Sequence, residues 1–341
     1  MASNVLIIHN SVDKISTGDG DKKVFAESAA GLLEEIRVVS ETLGRLGIEY
    51  RVRNIDRLAD LPGVLGECGE RVVINLVEEL AGDVLHANYV PAVCEAFGRA
   101  CTGNGTGALM LSLNKWQAKA MFEAAGVPTP ASVVVGMGEK IDAKGLGSGK
   151  YVVKPVSADA SEGIDAHSVA ELGSAEMENA IEQVHRQFKQ AALVEQFIPD
   201  RELNVSVLEI DGEVRVLPIA EIDFSAFAAN SLKIVGYSAK WHADSFGFNN
   251  TPRILPARLS EKTARLVREY AIAAWKAIGC QDYARVDFRM DSEERLYALE
   301  VNPNPDISLD AGFAAALGAG GVSYERFVGT LIDNALKRNS N

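Results

Sequence analysis

The sequence predicts a mixed α/β and α+β protein, with a parallel sheet first and antiparallel sheet later. Three observations carry this. Over the first hundred residues short apolar strands alternate with helical patterning, as in a parallel sheet covered by helices. Beyond residue 200 the strands come as pairs joined by tight polar turns such as Asp211-Gly212, the mark of hairpins. Near the C-terminus, Gln281–Ser308 reads as two strands around a charged turn and collects oxygen-bearing side chains on one face.

At 341 residues the chain is too long for one small core, and two or three units are expected. With 47% hydrophobic and 24% charged residues it has the composition of a soluble globular protein. Its 34 basic and 47 acidic residues leave a net charge of −13, which argues against a nucleic-acid or anionic-membrane partner. The N-terminus, MASNVLIIHNSVD, carries a short apolar run without a basic flank, so it reads as a first strand rather than a signal peptide. No apolar run reaches membrane-spanning length. Cys68, Cys94, Cys101 and Cys280 form no C-x-x-C pair, which predicts reduced, partly buried thiols in a cytoplasmic protein.

In chain order, Val5–His9 is a strand and Ser11–Lys23 a polar loop. Phe25, Ala29, Leu32, Ile36, Val39, Leu43 and Leu46 then form one apolar stripe on a long helix, stopped by Gly47. Strands follow at Ile48–Val52 and Arg71–Leu76. No G-x-G-x-x-G follows the first strand, which speaks against a dinucleotide site there. Asn75, Glu78 and Glu79 lie past the third strand, where open α/β sheets gather ligands, so Glu78 is a candidate substrate contact or else a solvated loop residue. Cys101–Gly107 is a turn cluster and the first boundary. A helix over Leu113–Ala125 ends in G-V-P-T-P, and Ser132–Val135 is a strand. Tyr151–Pro155 places Lys154 at a strand end, ahead of the small polar loop Ser157–Gly163, as in a phosphate cradle. A helix over Glu171–Gln190, strands at Ala192–Ile198, Glu202–Ile210 and Val214–Ile219, a loop over Ala220–Lys240, and helices at Leu259–Ile278 and Tyr324–Leu336 complete the chain.

In the C-terminal hairpin, Asp287 on Tyr283–Met290 can face Glu300 on Arg295–Val301, with Asn302 and Arg285 on the same side. Two carboxylates and an amide converging on one face would repel unless a cation lies between them. Hard oxygen donors without His or Cys suit magnesium. A surface hairpin with a solvated acidic face is the alternative.

The ordered set L-N-K with G-V-P-T-P, V-V-K-P with a Gly-ended loop, L-V-E-Q-F-I-P-D-R-E-L, Y-S-A-K-W, A-R-V-D-F-R and L-E-V-N-P-N-P resembles the ATP-grasp superfamily, in its D-alanine–D-alanine ligase branch. The likeness covers most of the chain from about residue 100 onward. It implies an ATP-grasp fold behind an N-terminal Rossmann-like, pre-ATP-grasp domain. The implied division is 1–107, then 108–197, then 198–341 with the metal and catalytic residues. It also implies ATP and Mg²⁺ (with Mn²⁺ able to substitute), a carboxylate and an amine as small-molecule partners, and a homodimer. By the same likeness Lys115 and Lys154 match the nucleotide-phosphate lysines, Glu195 and Ile198 the adenine edge, and Glu202 the ribose-binding glutamate. Asp287, Glu300 and Asn302 match the magnesium ligands. As catalytic residues, Arg285 matches the arginine that stabilises the acyl phosphate and tetrahedral intermediate, Lys240 a lysine near the γ-phosphate, and Ser161 the second serine of the phosphate loop.

The substrate half departs from that branch. Ala160 stands where the loop has its first serine, and Trp241 replaces a tyrosine. The H-G-x-x-G-E-D-G segment and the early G-G-x-S-x-E element are missing, with Glu27 or Glu34 expected to do a related job. N-P-N-P-D-I-S replaces N-T-x-P-G-M-T, and Ala311-Gly312 replaces the Ser-Leu pair that anchors the acceptor carboxylate. Asp306 adds negative charge there, which favours a cationic acceptor, and Asp306 and Ser308 join Glu78 as substrate candidates. The resulting expectation is a ligase forming an amide bond through an acyl phosphate on an amino acid or small metabolite. D-alanine–D-alanine ligase itself and a nucleotide-binding regulatory or scaffold protein without chemistry are the competing readings.

Overall fold

A computed structural model describes residues 4–12, 22–158, 163–228, 231–236 and 245–340. The first sheet is parallel: β1 (Val5–Asn10), β2 (Tyr50–Ile55), β3 (Val72–Leu76) and β4 (Ala100–Cys101), in the order β2-β1-β3-β4. Odd and even residues of β1 feed different cores, because side chains alternate across a strand. Val5 and Ile7 pack with Leu32, Val39 and Leu43 of the helix Lys22–Arg45 and with Phe327 and Leu331 of the C-terminal helix Tyr324–Arg338. Leu6 and Ile8 pack against Leu61, Leu65, Val90 and Cys94 on the other side.

A second, antiparallel sheet contains β5 (Ser132–Val135), β6 (Lys150–Pro155), β7 (Val169–Glu171) and β8 (Ala192–Gln196), in the order β5-β8-β6-β7. The helix Ala175–Phe188 covers one of its faces through Met177, Ile181 and Val184. The third sheet is built from β9 (Arg201–Ile210), β10 (Glu213–Val216), β11 (Ala220–Ile222), β12 (Arg253–Ile254), β13 (Tyr283–Met290) and β14 (Leu296–Asn302). Its order is β12-β11-β9-β13-β14, with β10 also on β9. Leu203, Val205, Val207, Ala284, Val286, Phe288 and Met290 point to one side, against Val267, Ala271 and Trp275 of the helix Glu261–Ile278. Period-two alternation therefore sends Glu202, Asn204, Arg285, Asp287 and Arg289 to the opposite face.

Several expected elements are revised. The second strand runs Tyr50–Ile55 instead of Ile48–Val52, because Gly47 takes a left-handed turn (φ 68°) before the chain re-enters the sheet. Leu46, the end of the expected stripe, lies beyond the helix and is 39% exposed. Leu113–Ala125 divides at Asn114, whose extended backbone ends Thr106–Leu113 and whose side chain caps Lys115–Ala124 by accepting from the Gln117 N–H. The helix expected over Glu171–Gln190 begins at Ala175, since the Ser174 hydroxyl caps it, and residues 169–171 belong to β7. Helices over Leu61–Glu67, Val90–Ala96 and Gly312–Ala319 add to those expected. The loop Ala220–Lys240 opens with β11, and Lys240 lies outside the described residues, as do Ser161, Ala160 and Trp241.

Candidate active site

The register of β13 decides the floor of the site. It lies between β9 and β14, with Asp287 paired to both Asn204 and Glu300, and Arg285 paired to Asn302. An interior strand excludes the solvated surface hairpin. Three donors hold the Asp287 carboxylate. Arg285 approaches as a fork, Nε to Oδ1 at 2.8 Å and Nη2 to Oδ2 at 2.8 Å. Asn302 Nδ2 donates to Oδ2 at 2.9 Å and Asn204 Nδ2 to Oδ1 at 2.9 Å. A β-bulge falls between Asp287 and Phe288, so that Phe288 faces Ala298 while Asp287 faces Glu300. The unpaired residue, Leu299, thereby lines the cleft beside Glu300, which plain alternation would forbid.

The second sheet supplies the facing wall. Lys154 on β6 donates to Glu195 Oε1 on β8 at 2.7 Å, and Lys119 meets the other oxygen of the same carboxylate. Lys119 also donates to the Thr129 hydroxyl at 2.6 Å, which in turn donates to the Ala298 carbonyl on β14 at 2.8 Å. All three charged groups are buried. Burial pushes the Glu195 carboxyl up, but the two ammonium groups outweigh it and hold the group below its ordinary range. Burial likewise lowers Lys119, with Glu195 opposing. Lys115, at the start of its helix, donates to the Ala158 carbonyl and lies 3.9 Å from Glu300 Oε2. It thus connects the loop after β6 to the floor.

Between these walls opens a cleft continuous with solvent. Lys154, Glu195, Ile198, Glu202, Asp287 and Glu300, each singled out from the sequence, line it together. Ile164, Ile234 and Val235 complete its apolar side. Gly236 is required there: a Cβ would sit 2.6 Å from the Ile164 carbonyl oxygen, so the two loops touch backbone to backbone.

The substrate candidates lie elsewhere, at the C-terminal end of the first sheet. The Glu78 N–H donates to Asn10 Oδ1 at 3.1 Å. Asp306 accepts from the Ser308 N–H at 2.8 Å. Both acids flank a third, Glu35, which accepts from the Ile307 N–H at 2.7 Å and is held well above its ordinary range by burial, then by Glu78 and Asp306. Of the two glutamates expected to act here, Glu34 points outward to Arg37 at 2.5 Å because it lies off the buried stripe, and the Glu27 side chain lies outside the description. Glu35, Lys119, Arg289 and Asn204 were not picked out by sequence. Lys119 is one turn beyond Lys115, and Arg289 is two residues past Asp287, so helical and strand periodicity each held a signal.

Among the described residues, no three His, Cys, Asp or Glu side chains converge as a metal cluster. Asp287, Glu300 and Asn302 instead offer two carboxylates and an amide. Such a set fits a hard cation that takes its remaining oxygens from phosphate and water.

The D-ala D-ala ligase C-terminus family model matches residues 146–333, more than half of the chain. The chain belongs to the D-alanine–D-alanine ligase family. These are ATP-grasp ligases that form C–N bonds and release ADP. It is 30% identical over 300 residues to the D-alanine–D-alanine ligase of Actinobacillus pleuropneumoniae serotype 5b, covering 86% of this chain and 90% of that protein. It is 31% identical over 269 residues to the uncharacterized protein y4sG of Sinorhizobium fredii, covering 78% and 75%. The D-alanine–D-alanine ligase of Bacillus anthracis, solved in complex with ATP, superposes with a TM-score of 0.74 over 99% of both chains at 20% identity. At that identity the likeness speaks for the ATP-grasp fold.

Proposed function

We propose that this family member joins a carboxylate to a cationic amine, using ATP and Mg²⁺, through an acyl phosphate. The observation that carries the reading is the cleft itself, in which the Lys154 wall shares the lining with Asp287 and Glu300, and Arg285 and Asn302 hold Asp287. A carboxylate resists attack by an amine until its oxygen becomes a leaving group. The substrate oxygen takes the γ-phosphoryl group of ATP, the bond to ADP breaks, and an acyl phosphate forms. The amine then attacks the carbonyl carbon, the tetrahedral oxyanion collapses, phosphate departs and the nitrogen loses a proton.

In this reading Lys115 and Lys154 neutralise the phosphates, Glu195 and Ile198 border the base, and Glu202 takes the ribose. Asp287, Glu300 and Asn302 would hold the metal, which when bound supplies charge neutralisation between the transferring phosphates. Arg285 stands as the fixed cation for the oxyanion. Lys240 at the γ-phosphate and Ser161 in the phosphate loop are carried by the family resemblance alone, as is a homodimer; a cytoplasmic location is read from the cysteine usage. The acceptor end is read from Glu35, Glu78, Asp306 and Ser308: carboxyls gathered there favour an amine bearing positive charge. Ala311 offers no hydroxyl to an acceptor carboxylate. The names of the relatives support a second reading, D-alanine with D-alanine.

The test is ADP and phosphate release with Mg²⁺ across a panel of amino acids and cationic amines, with product masses. Turnover on a cationic acceptor is the expected result. A D-alanine dipeptide as sole product selects the second reading, and no turnover with any pair despite nucleotide binding would sink both.

A further inference from the structure

Lys119 is 2% exposed, and its helix Lys115–Ala124 packs through Ala118 and Phe122 into the core beneath the floor sheet. Its ammonium leaves that core and meets Glu195 on β8, in the opposite wall. The floor side fixes its position. The Thr129 hydroxyl gives its proton to the Ala298 carbonyl of β14 at 2.8 Å, so toward Lys119 its oxygen can only accept, which it does at 2.6 Å. Lys154 donates to the other oxygen of Glu195 at 2.7 Å. All three charged groups are buried.

A carboxylate shared by two ammonium groups cancels the charge of only one. The triad therefore carries a surplus positive charge, in a chain whose net charge is −13. Lys154 and Glu195 line the cleft, Lys154 at the position read above as facing the phosphates. With Lys154 as the sole partner of Glu195, the pair would be neutral and would attract a polyanion weakly. We propose that Lys119 is a positioning residue for the nucleotide phosphates: by engaging Glu195 from the floor side, it leaves Lys154 with uncancelled charge toward the cleft. It does so without touching the nucleotide, because charge acts over distance through a buried interior that screens it little. The inference rests on reading the cleft as the nucleotide site. It adds to that reading the source of the wall's positive charge.

The experiment compares wild type, Lys119→Met, Lys119→Gln and the double variant Lys119→Met with Glu195→Gln. With Mg²⁺ present, ATP binding is measured by calorimetry and adenosine binding by competition, while ADP release gives KM and kcat. Thermal unfolding without nucleotide confirms that each variant is folded. Adenosine has the base and ribose of ATP but no phosphate, so the ratio of the two affinities isolates the phosphates. Lys119→Met should lower the preference for ATP over adenosine by about tenfold, as for one charge acting from beyond contact, and should raise KM for ATP more than it lowers kcat. Lys119→Gln keeps a donor for Glu195 and Thr129 but no charge, so the preference should fall as far. The double variant restores one surplus positive charge, on Lys154, and should recover most of the preference. A merely structural Lys119 would weaken ATP and adenosine alike, and Lys119→Gln would rescue both. That result, or an unchanged preference in folded variants, overturns the proposal while leaving the nucleotide reading intact. Should Lys119→Met fail to fold, Lys119→Gln decides alone. Failure of wild type to bind ATP overturns both.

Discussion

The nucleotide cleft and the far end of the first sheet handle charge in opposite ways. In the cleft, Lys119 and Lys154 share Glu195, Arg285 forks onto Asp287, Arg289 holds Glu202 and Lys115 approaches Glu300. At the other end burial raises the Glu35 carboxyl, and Glu78 and Asp306 add to it. Opposite charges held at contact build a site that keeps its shape before any ligand arrives. Like charges held together keep one group protonated until a cation takes the proton's place. In the function proposed above, the first arrangement serves the ATP chemistry and the second the acceptor.

The strongest way to break the first half of that contrast is Glu195→Ala. It would leave two buried ammonium groups without their carboxylate, and removing one partner of a buried ion pair typically costs about 3–5 kcal/mol. Urea unfolding should show a loss of that size. A loss below about 1 kcal/mol would mean that the wall tolerates the lysines unpaired and is not preorganised by Glu195.

Next comes Arg285→Ala. The stability change should be modest, because Asn204 and Asn302 still donate to Asp287. ADP-forming turnover should fall by about 10²–10³, the usual consequence of losing one electrostatic partner of a developing oxyanion. Turnover within threefold of wild type would remove Arg285 from the chemistry and leave it a structural counter-ion for Asp287.

The same contrast governs what could be read from the sequence. Arg285 and Asp287 on one face were legible because alternation fixes which residues share a face; Asp287 opposite Glu300 needed the bulge, since the register set at Met290 and Leu296 would otherwise pair Asp287 with Leu299. Leu299 was not legible: a bulge appears only when two strands are paired, and one strand's pattern does not show the extra residue. Arg289 passed unnoticed because a strand arginine ordinarily faces solvent, and only the closure of Phe197 and Phe224 over it makes it interior. Glu35 was hidden differently, among the apolar positions of a helix read for its stripe. The helix Gly312–Ala319 is apolar on nearly every side and so offers no periodicity to detect.

The acidic end carries a pH signature of definite sign. Glu35 is raised in the folded protein, so the native state binds its proton more tightly than the unfolded chain does. That contribution is complete below the ordinary carboxylate value of 4.5 and is lost as pH rises toward the folded value. Stability attributable to Glu35 should therefore decline with increasing pH, by at most about 1.4 kcal/mol per pH unit. Glu35→Gln keeps an acceptor for the Ile307 N–H and removes the titration. Its unfolding free energy, subtracted from wild type across pH 4 to 8, should become increasingly favourable to the variant. A flat difference would mean that neither burial nor the neighbouring acids raise Glu35 in the folded state.

The smallest effect is expected where a hydroxyl is absent. Ala311 ends in a methyl at the start of Gly312–Ala319, a helix without a side-chain N-cap. Ala311→Ser restores a donor suited to a carboxylate-bearing acceptor and also a natural cap for that helix. If the acceptor end has shifted from carboxylate to cation, the substitution should lower KM for a carboxylate-bearing acceptor by about tenfold, one added hydrogen bond to a charged group. It should leave KM for an uncharged-tail amine unchanged. An equal change for both acceptors would assign the gain to helix capping. No change for either would show that the acceptor carboxylate is anchored elsewhere, and that the missing hydroxyl says nothing about the substrate this chain selects.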